Sequence, residues 1–494
     1  MLDTILVNKK KIDWLVVARG FNIPSFNFVT EREKINGRPG SVKKSRNIDE
    51  IEFDLPLIVR NDYLSPGGEK DHDEILNELV KFFNYDNEVE LRFKSKSWYW
   101  KARFDGPIEI PKNPRSVFSF SIKVILTDPY KYSTNEYENT AISDEVSIVN
   151  KGTADSPILI EARALKNSNY FMVAKGDEDY FMIGDDDVET PPKDYTPNIY
   201  HSELQSLSGW SKMTSGDIPD KYLGGTVGGT YQIGSTGESF VVSNFPTGTG
   251  WIGAGYKKGF SKSVQDFQTT FKCIIYQKNR GAGRAVQHVY DTDNRLIASI
   301  GYENKYHDRK IGHFVVSLFN QSGDQVKIYD IQNTPKIYKM DIVVAYIRLK
   351  RVGNVFTVKS WLFDNNKDLK RTKPLDITEK KYIDKGNFYN RPIASINLYT
   401  AKYNGYDNMV MNLLGTFTTE LLPKPVGAND MIIKKGDLVT IDMTTKNVLV
   451  NEEPYLHKKT FGSNFFNVNT GYSELLIYPE STFDTSVKWQ DRYL

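Results

Sequence analysis

The fold is decided first by residues 116–127, which read SVFSFSIKVILT. Apolar side chains recur at every second position from Phe118 to Leu126, and this spacing places them on one face of a β-strand. Residues 51–59, IEFDLPLIV, form a second apolar run. Aromatic residues make up 13% of the chain, and Tyr and Phe favour strands over helices. The sequence therefore predicts a largely β protein.

Length and charge narrow the class of protein. At roughly 150 residues per domain, a chain of 494 residues predicts about three domains. The balance of 64 Lys and Arg against 62 Asp and Glu argues against specific nucleic-acid binding, which needs a concentrated positive field. The single cysteine, Cys273, leaves no intramolecular disulfide. We expect no membrane-spanning helix and no secretion signal, because apolar runs are short and residues 1–11 soon become basic.

One helix is predicted near residue 71. Asp71 is suited to the N-cap position, and Glu74 follows three residues later, as in a capping box. An apolar stripe at helical spacing then runs over Ile75, Leu76, Leu79, Val80, Phe82 and Phe83. We expect this stripe to face a hydrophobic core.

Two proline-containing breaks, TPPKD at residues 190–194 and LLPKPV at 421–426, bracket a long central region. Within it, many short apolar runs between residues 267 and 414 are separated by turns, a pattern typical of a β-sandwich or jelly roll. Before the first break, YFMV at 170–173 recurs as YFMI at 180–183 around Gly176-Asp177, which predicts a hairpin. A region bracketed in this way can be an inserted domain whose ends lie close together.

Several motifs, in their order from both ends of the chain, resemble the distal tail protein (Dit) family of siphophages, the long-tailed phages that infect Gram-positive bacteria. They are GRPG at residues 37–40, the run at 53–59, the helix at 71–84, DPYKY at 128–132, NKGT at 150–153, GDLVTID at 436–442 and WQDRYL at 489–494. The resemblance covers about residues 1–190 and 425–494. It does not cover the middle, which suggests a long family form with an inserted carbohydrate-binding-like module.

The resemblance implies an all-β, multi-domain architecture with one helix in the N-terminal domain. Residues 1–140 would be a ring-forming β-sandwich, residues 141–193 plus 425–494 a split galectin-like sandwich, and residues 194–424 an inserted lectin-like jelly roll. Six copies would form a ring that joins the tail tube protein to tail-associated or receptor-binding proteins. The protein would be made and assembled in the host cytoplasm and would lie at the tail tip of the virion.

The sequence points to no catalytic residues and no cofactor. It has no His-Glu-x-x-His zinc motif, no phosphate-binding P-loop and no nucleophile elbow. The GTGWIG stretch at residues 248–253 has the glycine spacing of a dinucleotide-binding fingerprint. No helix is predicted after it, so we expect a loop between strands. We expect no metal site either. The candidate for a structural calcium ion is the turn with Asp291 and Asp293, because their carboxylates are hard oxygen ligands.

Sugar binding requires flat aromatic faces for the apolar side of a pyranose and planar polar groups for its hydroxyls. The central region supplies both kinds of residue, and the stretch from 285 to 309 interleaves them. The candidate carbohydrate-binding residues are Trp210, Trp251, Tyr256, His288, Asp291, Asn294, Arg295, Tyr302, Glu303, Tyr306 and Asp308. For each aromatic residue, a place in the core is the alternative.

Residues 31–50 are charged and have no apolar periodicity, so we expect a long loop. Its basic residues are Arg32, Lys34, Arg38, Lys43, Lys44 and Arg46. Because subunits in a closed ring meet through two different surfaces, we interpret this loop as an arm at the ring interface. A plain solvated loop is the alternative.

These observations give the hypothesis of a structural tail-tip protein whose insert binds host cell-wall glycan. It is not expected to be an enzyme, to bind a specific nucleic acid or to enter a membrane. One alternative is a tail-associated cell-wall glycosidase, which would need a suitably spaced pair of carboxylates. Another is an insert that serves only as a docking surface for other tail proteins.

Overall fold

The structure is a computed structural model that describes residues 3–60, 70–112, 117–176, 179–187, 190–278 and 280–494. As the composition predicted, the chain is nearly all β. The first elements are β1 (Ile5–Val7), β2 (Leu15–Val17), β3 (Asn27–Glu33), β4 (Val42–Asp49), β5 (Ile51–Arg60), α1 (His72–Phe83), β6 (Val89–Phe93), β7 (Trp98–Asp105) and β8 (Val117–Ser133).

The N-terminal sheet has the strand order β1-β6-β7-β8-β5-β2. Its two edge strands meet, because the amide of Val17 donates to the carbonyl of Asp3 at 2.9 Å and Thr4 Oγ1 donates to the carbonyl of Leu15 at 2.7 Å. The alternating apolar residues of β5 and β8 point inward, and Leu55 and Val124 are fully buried. The sheet thus curls around its own core.

The predicted helix is confirmed as α1, and it covers this core. Asp71 is the N-cap, and both hydrogen bonds of the capping box with Glu74 are present. The buried residues of the stripe are Ile75, Leu79, Phe82 and Phe83. Val80 instead remains 44% exposed, since it lies on the solvent side of the helix.

The predicted loop at residues 31–50 is wrong in part, because most of it forms a β-hairpin. Strand β3 pairs only with β4 among the described strands, in a two-stranded sheet separate from the curled sheet. None of its residues is buried. We call residues 26–49 the arm. Sequence patterning missed it because a strand that buries neither face shows no apolar alternation.

The predicted hairpin at residues 170–183 is confirmed. The chain continues through β9 (Tyr137–Thr140), β10 (Glu145–Asn150), β11 (Ser156–Ala164), β12 (Tyr170–Lys175) and β13 (Asp179–Gly184). Strands β12 and β13 pair antiparallel, with Tyr170 opposite Gly184. Asp177 and Glu178, in the predicted turn, lie outside the described residues.

The central region is a sandwich of two large sheets, which we call the central sandwich. Its elements are β14 (Asn198–Ser202), β15 (Ser211–Lys212), β16 (Asp217–Ile218), β17 (Gly225–Thr226), β18 (Thr230–Ile233), β19 (Phe240–Asn244), β20 (Trp251–Val264), β21 (Phe267–Tyr276), β22 (Gly283–Tyr290), β23 (Leu296–Asn304), β24 (His313–Phe319), β25 (Gln325–Gln332), α2 (Pro335–Tyr338), β26 (Ile342–Val352), β27 (Val355–Asp364), β28 (Leu375–Ile383), β29 (Ile393–Tyr403) and β30 (Met411–Glu420).

One sheet of the central sandwich has eight strands, in the order β18-β19-β30-β21-β26-β27-β28 with β14 beside β30. The other has nine, in the order β16-β17-β20-β29-β22-β23-β24-β25 with β15 beside β20. A continuous apolar core lies between them and includes Phe271, Cys273, Val289 and Leu398. Among the described residues, strands β14 to β30 pair only with one another.

The last elements complete a second sandwich with β9 to β13, which we call the C-terminal sandwich. They are β31 (Leu438–Asp442), β32 (Asn447–Val450), β33 (Glu453–Pro454), a 3-10 turn (Leu456–Lys458), β34 (Asn467–Val468), β35 (Gly471–Tyr478) and β36 (Phe483–Trp489). The final strand, β37 (Arg492–Tyr493), joins the N-terminal sheet instead. One sheet has the order β10-β35-β12-β13 and the other β33-β32-β31-β11-β36-β9, with β34 beside β11. Each sheet therefore combines strands that precede the central sandwich in the chain with strands that follow it.

Three motifs that are far apart in sequence meet where the N-terminal sheet joins the C-terminal sandwich. Strand β37 pairs with β8, with Arg492 opposite Tyr132. The Arg492 carbonyl accepts from the amide of Thr153 at 2.9 Å. A Cβ atom on Gly152 would lie 2.1 Å from this carbonyl oxygen, so only glycine allows the approach. The three motifs NKGT, DPYKY and WQDRYL therefore form one structural unit.

The chain enters and leaves the central sandwich at one place. The amide of Leu422 donates to the carbonyl of Tyr195 at 2.9 Å, and the amide of Lys193 donates to the carbonyl of Asn429 at 3.1 Å. Asn429 Nδ2 also donates to the carbonyl of Thr190 at 2.8 Å. The two proline-containing breaks therefore run side by side.

A hairpin of the C-terminal sandwich, β32–β33, packs on the outer face of the eight-stranded sheet. Leu449 is buried there in a cluster with Tyr346, Trp361 and Phe363. Trp361 Nε1 donates to the carbonyl of Glu452 at 3.0 Å. Four basic side chains of the central sandwich, those of Lys272, Arg348, Lys359 and Arg371, pair with the carboxylates of Glu452 and Glu453. The central sandwich is thus held by side-chain contacts as well as by its two connecting segments.

Candidate functional site

The candidate site lies on the outer face of the nine-stranded sheet. Residues 213–228, which include β16 and β17, run across the middle of this face, and we call them the covering segment. Its apolar side chains Ile218, Leu223 and Val227 are buried against Val286 and Tyr399 of the sheet. The two ends of the face lie beyond this cover.

An aromatic cluster occupies one end of the face. Trp251 and Tyr403 are opposite each other on β20 and β29, with their ring centroids 5.5 Å apart. The ring centroids of Tyr403 and Tyr406 are 5.4 Å apart. The ring of Tyr406 stacks on that of His307, with the centroids 4.4 Å apart and an angle of 2° between the ring planes. We call these four residues the aromatic cluster. Tyr406 is 49% exposed and Tyr403 is 36% exposed, and His307 is exposed as well.

A buried ion pair supports the cluster from below. The Arg284 guanidinium lies 3.6 Å from the Trp251 ring centroid, and its Nη2 is 3.0 Å from Glu303 Oε2. Its Nη1 donates to the carbonyl of Gly224 in the covering segment at 2.6 Å. Burial lowers the pKa of Arg284 and raises the pKa of Glu303, and each charge opposes the shift of the other. The pair therefore fixes the Trp251 ring from a position that solvent hardly reaches.

A second buried pair anchors the covering segment to the sheet. Asp220 Oδ1 accepts from the amides of Tyr222 and Leu223 and from Gln325 Nε2. Its Oδ2 lies 3.7 Å from His288 Nε2, and both side chains are fully buried. Burial lowers the pKa of His288 to about 4, although the charge of Asp220 acts in the opposite direction. His288 is therefore neutral at pH 7.

The opposite end of the face has a cavity of about 410 Å³, whose lining includes the apolar side chains of Ile218, Leu296 and Phe319. Asn294, Arg295, Asn320 and Gln321 line it, together with Tyr290. Tyr290 is only 7% exposed, and Lys257 Nζ lies 4.1 Å from its ring centroid. The exposed side chains at this end are thus polar rather than aromatic.

In the turn predicted as a candidate calcium site, both carboxylates are paired with arginines. Asp291 Oδ1 accepts from the amides of Asp293 and Arg295, and Oδ2 pairs with Arg391. The carboxylate of Asp293 lies 3.5 Å from Arg295. Within the described ranges, no three His, Cys, Asp or Glu side chains are grouped so that they could hold a metal ion.

The predicted carbohydrate-binding residues fall into three places. Trp251, Tyr306 and Asp308 lie at the end with the aromatic cluster, while Asn294 and Arg295 lie at the end with the cavity, beside Asp291. The others are inside the sandwich or beneath its cover, namely Trp210, Tyr256, His288, Tyr302 and Glu303. Because these five are at most 9% exposed, their side chains cannot meet a sugar in this structure. Asp291 is only 5% exposed and pairs with Arg391, so it is removed from the candidates together with the five.

The reason for each removal is a packing contact. Trp210 and Tyr256 contact Phe240 and Tyr231 in the core. The Tyr302 hydroxyl accepts from Asn333 Nδ2 at 2.7 Å. Period-two patterning does not separate the two faces of a strand that is buried on both sides, and β22 and β23 are buried throughout.

Sequence reasoning missed three members of the aromatic cluster, His307, Tyr403 and Tyr406. A signal for two of them is present, because residues 403–406 read YNGY and Asn-Gly marks a tight turn. Two aromatic residues that flank such a turn at the end of a strand are placed near solvent rather than in the core.

The predicted interface residues all lie on the arm or in its turn, and all six are exposed. Arg46 stacks on Phe28, with its guanidinium carbon 3.7 Å from the ring centroid. Phe26, Val29 and Ile35 are also exposed, at 47%, 41% and 50%. The arm therefore presents apolar as well as basic side chains. No described helix is long and apolar enough to cross a membrane.

Comparisons with known proteins match both ends of the chain. A family model described as "Phage tail protein RIFT-related domain" matches residues 10–126, and one described as "Siphovirus-type tail component, C-terminal domain" matches residues 429–493. Neither description is that of an enzyme. No curated protein matches the chain in sequence.

Similar solved structures include the Dit protein (gp 19.1) of phage SPP1, with 16% identity over 37% of this chain and 75% of that one and a TM-score of 0.31. The CBM2 module of the evolved Dit of Lactobacillus casei BL23 phage J-1 has 12% identity over 47% and 99% of the two chains and a TM-score of 0.37. A legume lectin-like domain from Entamoeba histolytica has 17% identity over 39% and 87% and a TM-score of 0.25.

The two family matches lie on either side of the central sandwich and follow the order in which the sequence motifs occur. By these two regions the chain belongs to the distal tail protein family of siphophages, and the central sandwich lies between them.

Proposed function

We propose that this phage tail protein is the ring-forming hub at the tail tip and that its central sandwich binds carbohydrate on the host cell wall. Its coarse role, a structural component of the phage tail, follows from family membership. Assembly would take place in the host cytoplasm, before the protein becomes part of the virion.

The observation that carries the proposal is that the chain leaves the C-terminal sandwich and returns to it at one place, with Leu422 hydrogen-bonded to Tyr195. An inserted unit that closes on itself leaves the scaffold free to assemble with the tail tube and with receptor-binding proteins. We therefore propose three units, with residues 194–424 as the insert. We place the first boundary before Tyr137 rather than at residue 140, because β9 pairs with β36 of the C-terminal sandwich.

The arm supports the ring part of the proposal. A two-stranded hairpin is only marginally stable in water, and this one exposes Phe26, Phe28 and Val29. A neighbouring copy would bury these side chains. Single weak sugar sites displayed around a ring of six copies would gain avidity without any further contact.

Native mass spectrometry and negative-stain microscopy of the full-length protein test the ring. A six-fold ring is expected, and Phe28→Ser combined with Arg46→Glu should convert it to smaller species that remain folded, as circular dichroism would show. Leu369→Ser, at an exposed residue of the central sandwich, serves as the control. A ring that survives the arm variant would refute the role of the arm, and a strictly monomeric wild-type protein would refute the ring.

Sedimentation with purified host cell walls tests the glycan part. Binding that is lost when the walls are stripped of their polysaccharide supports it. Equal binding to stripped walls would instead favour a protein receptor. Release of reducing sugars during the incubation would favour the alternative of a wall glycosidase.

A further inference from the structure

We infer that the aromatic cluster of Trp251, His307, Tyr403 and Tyr406 is the surface on which the central sandwich stacks a pyranose ring of the wall polysaccharide. This inference rests on the proposed function and assigns it to one end of the nine-stranded sheet.

The first reason is that the rings of Tyr403 and Tyr406 lie outside the sandwich core and are exposed to water. Tyr403 and Tyr406 leave 36% and 49% of their surface in water, and neighbouring Tyr306 leaves 37%. The sandwich core is complete without them, since it is filled by side chains of both sheets. A group of exposed aromatic rings in mutual contact marks an interaction site more often than scattered single residues do.

The second reason is that the rings are held in place before any ligand arrives. Trp251 rests on Arg284, whose Glu303 partner is itself buried. Asn404 Nδ2, in the turn between Tyr403 and Tyr406, donates to the carbonyl of Gly248 at 2.7 Å. Tyr406 and His307 hold each other by parallel stacking. Binding to a preorganised surface costs little conformational entropy, so a shallow site of this kind can still bind.

The third reason is the polar rim. Asp308 follows His307 and Asp407 follows Tyr406, and both are exposed. Asn404 is exposed between the two tyrosines. Carboxylates and amides are planar groups that can accept from pairs of sugar hydroxyls while the apolar face of the ring lies on an aromatic side chain.

The cavity at the other end of the face fits a sugar less well. Its two aromatic rings, those of Tyr290 and Phe319, are nearly buried, and Tyr290 faces Lys257. A pyranose could form hydrogen bonds there, but it would find no open aromatic face. Asn294 and Arg295 are therefore the natural place for control substitutions.

The test uses the full-length protein and cell walls purified from the host of the phage. Tyr406→Ala and His307→Ala should each weaken wall binding by about tenfold or more, which corresponds to about 1.4 kcal/mol or more for the loss of a central contact. Tyr406→Phe should retain binding, because stacking does not require the hydroxyl. Phe388→Ala, at a 64% exposed aromatic residue, and Asn294→Ala should bind as the wild type does. Unchanged melting temperatures show that each variant is folded.

The outcomes separate this inference from the function on which it rests. If the wild type binds intact but not stripped walls, and both cluster variants bind equally well, the proposed function stands and the aromatic cluster is refuted as its site. If Asn294→Ala abolishes binding instead, the site lies at the cavity. If the wild type binds no walls, or binds stripped walls equally, both proposals fail.

Discussion

The central and C-terminal sandwiches differ in how the chain builds them. The central sandwich is formed by one continuous stretch, from β14 to β30. In the C-terminal sandwich, β11 lies between β31 and β36, and β12 pairs with both β13 and β35. Both enclose an apolar core between two sheets. The C-terminal sandwich is complete although its strands are separated in sequence by the central one, because the two connecting segments lie side by side at Lys193 and Asn429.

The largest loss of stability is expected when the chain is truncated just after the central sandwich. A chain that ends at residue 426 loses all six strands from β31 to β36. Four of them, β31, β34, β35 and β36, pair with strands that precede the central sandwich. The C-terminal sandwich should therefore unfold while the central one remains. The buried thiol of Cys273, whose pKa is raised by burial, reports on the central core. It should react slowly with a thiol reagent in the truncated chain. Rapid reaction would mean that the central sandwich needs the C-terminal one.

A smaller effect is expected where the two sandwiches touch. Leu449→Ala removes a side chain that is 2% exposed from the cluster around Trp361, at a cost of about 2–5 kcal/mol for a buried leucine. Calorimetry should then resolve the unfolding of the two sandwiches into separate transitions. Leu456→Ala, at a residue that is 47% exposed on the same side of the C-terminal sandwich, is the matched control. If both variants melt as the wild type does, the contact does not couple the sandwiches.

Acid should weaken the central sandwich more than the C-terminal one. His288 is held neutral with a folded pKa of about 4, below its ordinary value near 6.5. The folded state therefore binds a proton at His288 less readily than the unfolded state does. The contribution of neutral His288 to the free energy of unfolding is present above pH 6.5 and decreases as the pH falls towards 4. Between pH 7 and pH 5 the loss should be about 2 kcal/mol. His288→Gln should flatten the pH dependence of the melting temperature, and an unchanged slope would contradict this role of His288.

The smallest loss of stability is expected at the start of α1, which lies in the N-terminal region outside both sandwiches. Asp71→Ala removes the hydrogen bond that the Asp71 carboxylate accepts from the amide of Glu74 at the start of α1, and it should cost about 1 kcal/mol. Chemical denaturation monitored by near-ultraviolet circular dichroism can measure this loss. Asp73→Ala, on the same first turn but without a capping role, should cost less. Equal losses would show that charge near the helix start matters more than the cap.

The residues explain how far the sequence could predict this structure. The alternation in β8 and the capping box at Asp71 are local signals, and both gave the correct element. The arm buries no residue and so leaves no pattern. The convergence of Gly152, Tyr132 and Arg492 depends on contacts between residues about 340 positions apart, which no local pattern contains.

The candidate site was harder to predict than the fold. Tyr302 and Trp251 are both aromatic residues of strands in one sheet, but Tyr302 is fully buried and Trp251 lies at the partly exposed end. Their difference depends on which face each side chain takes and where the strand ends. The aromatic cluster, moreover, forms from β20, β29 and two turns that come together only in the folded sandwich.

The central claim is that a self-contained sandwich interrupts a tail scaffold. The most direct test replaces residues 197–420 with a short Gly-Ser linker and changes Leu449 to Ser, because the excision would expose that side chain. The account predicts a soluble protein that unfolds cooperatively, keeps the oligomeric state of the full-length chain and no longer binds host walls. An unfolded or aggregated product, despite the adjacent ends at Tyr195 and Leu422, would contradict it.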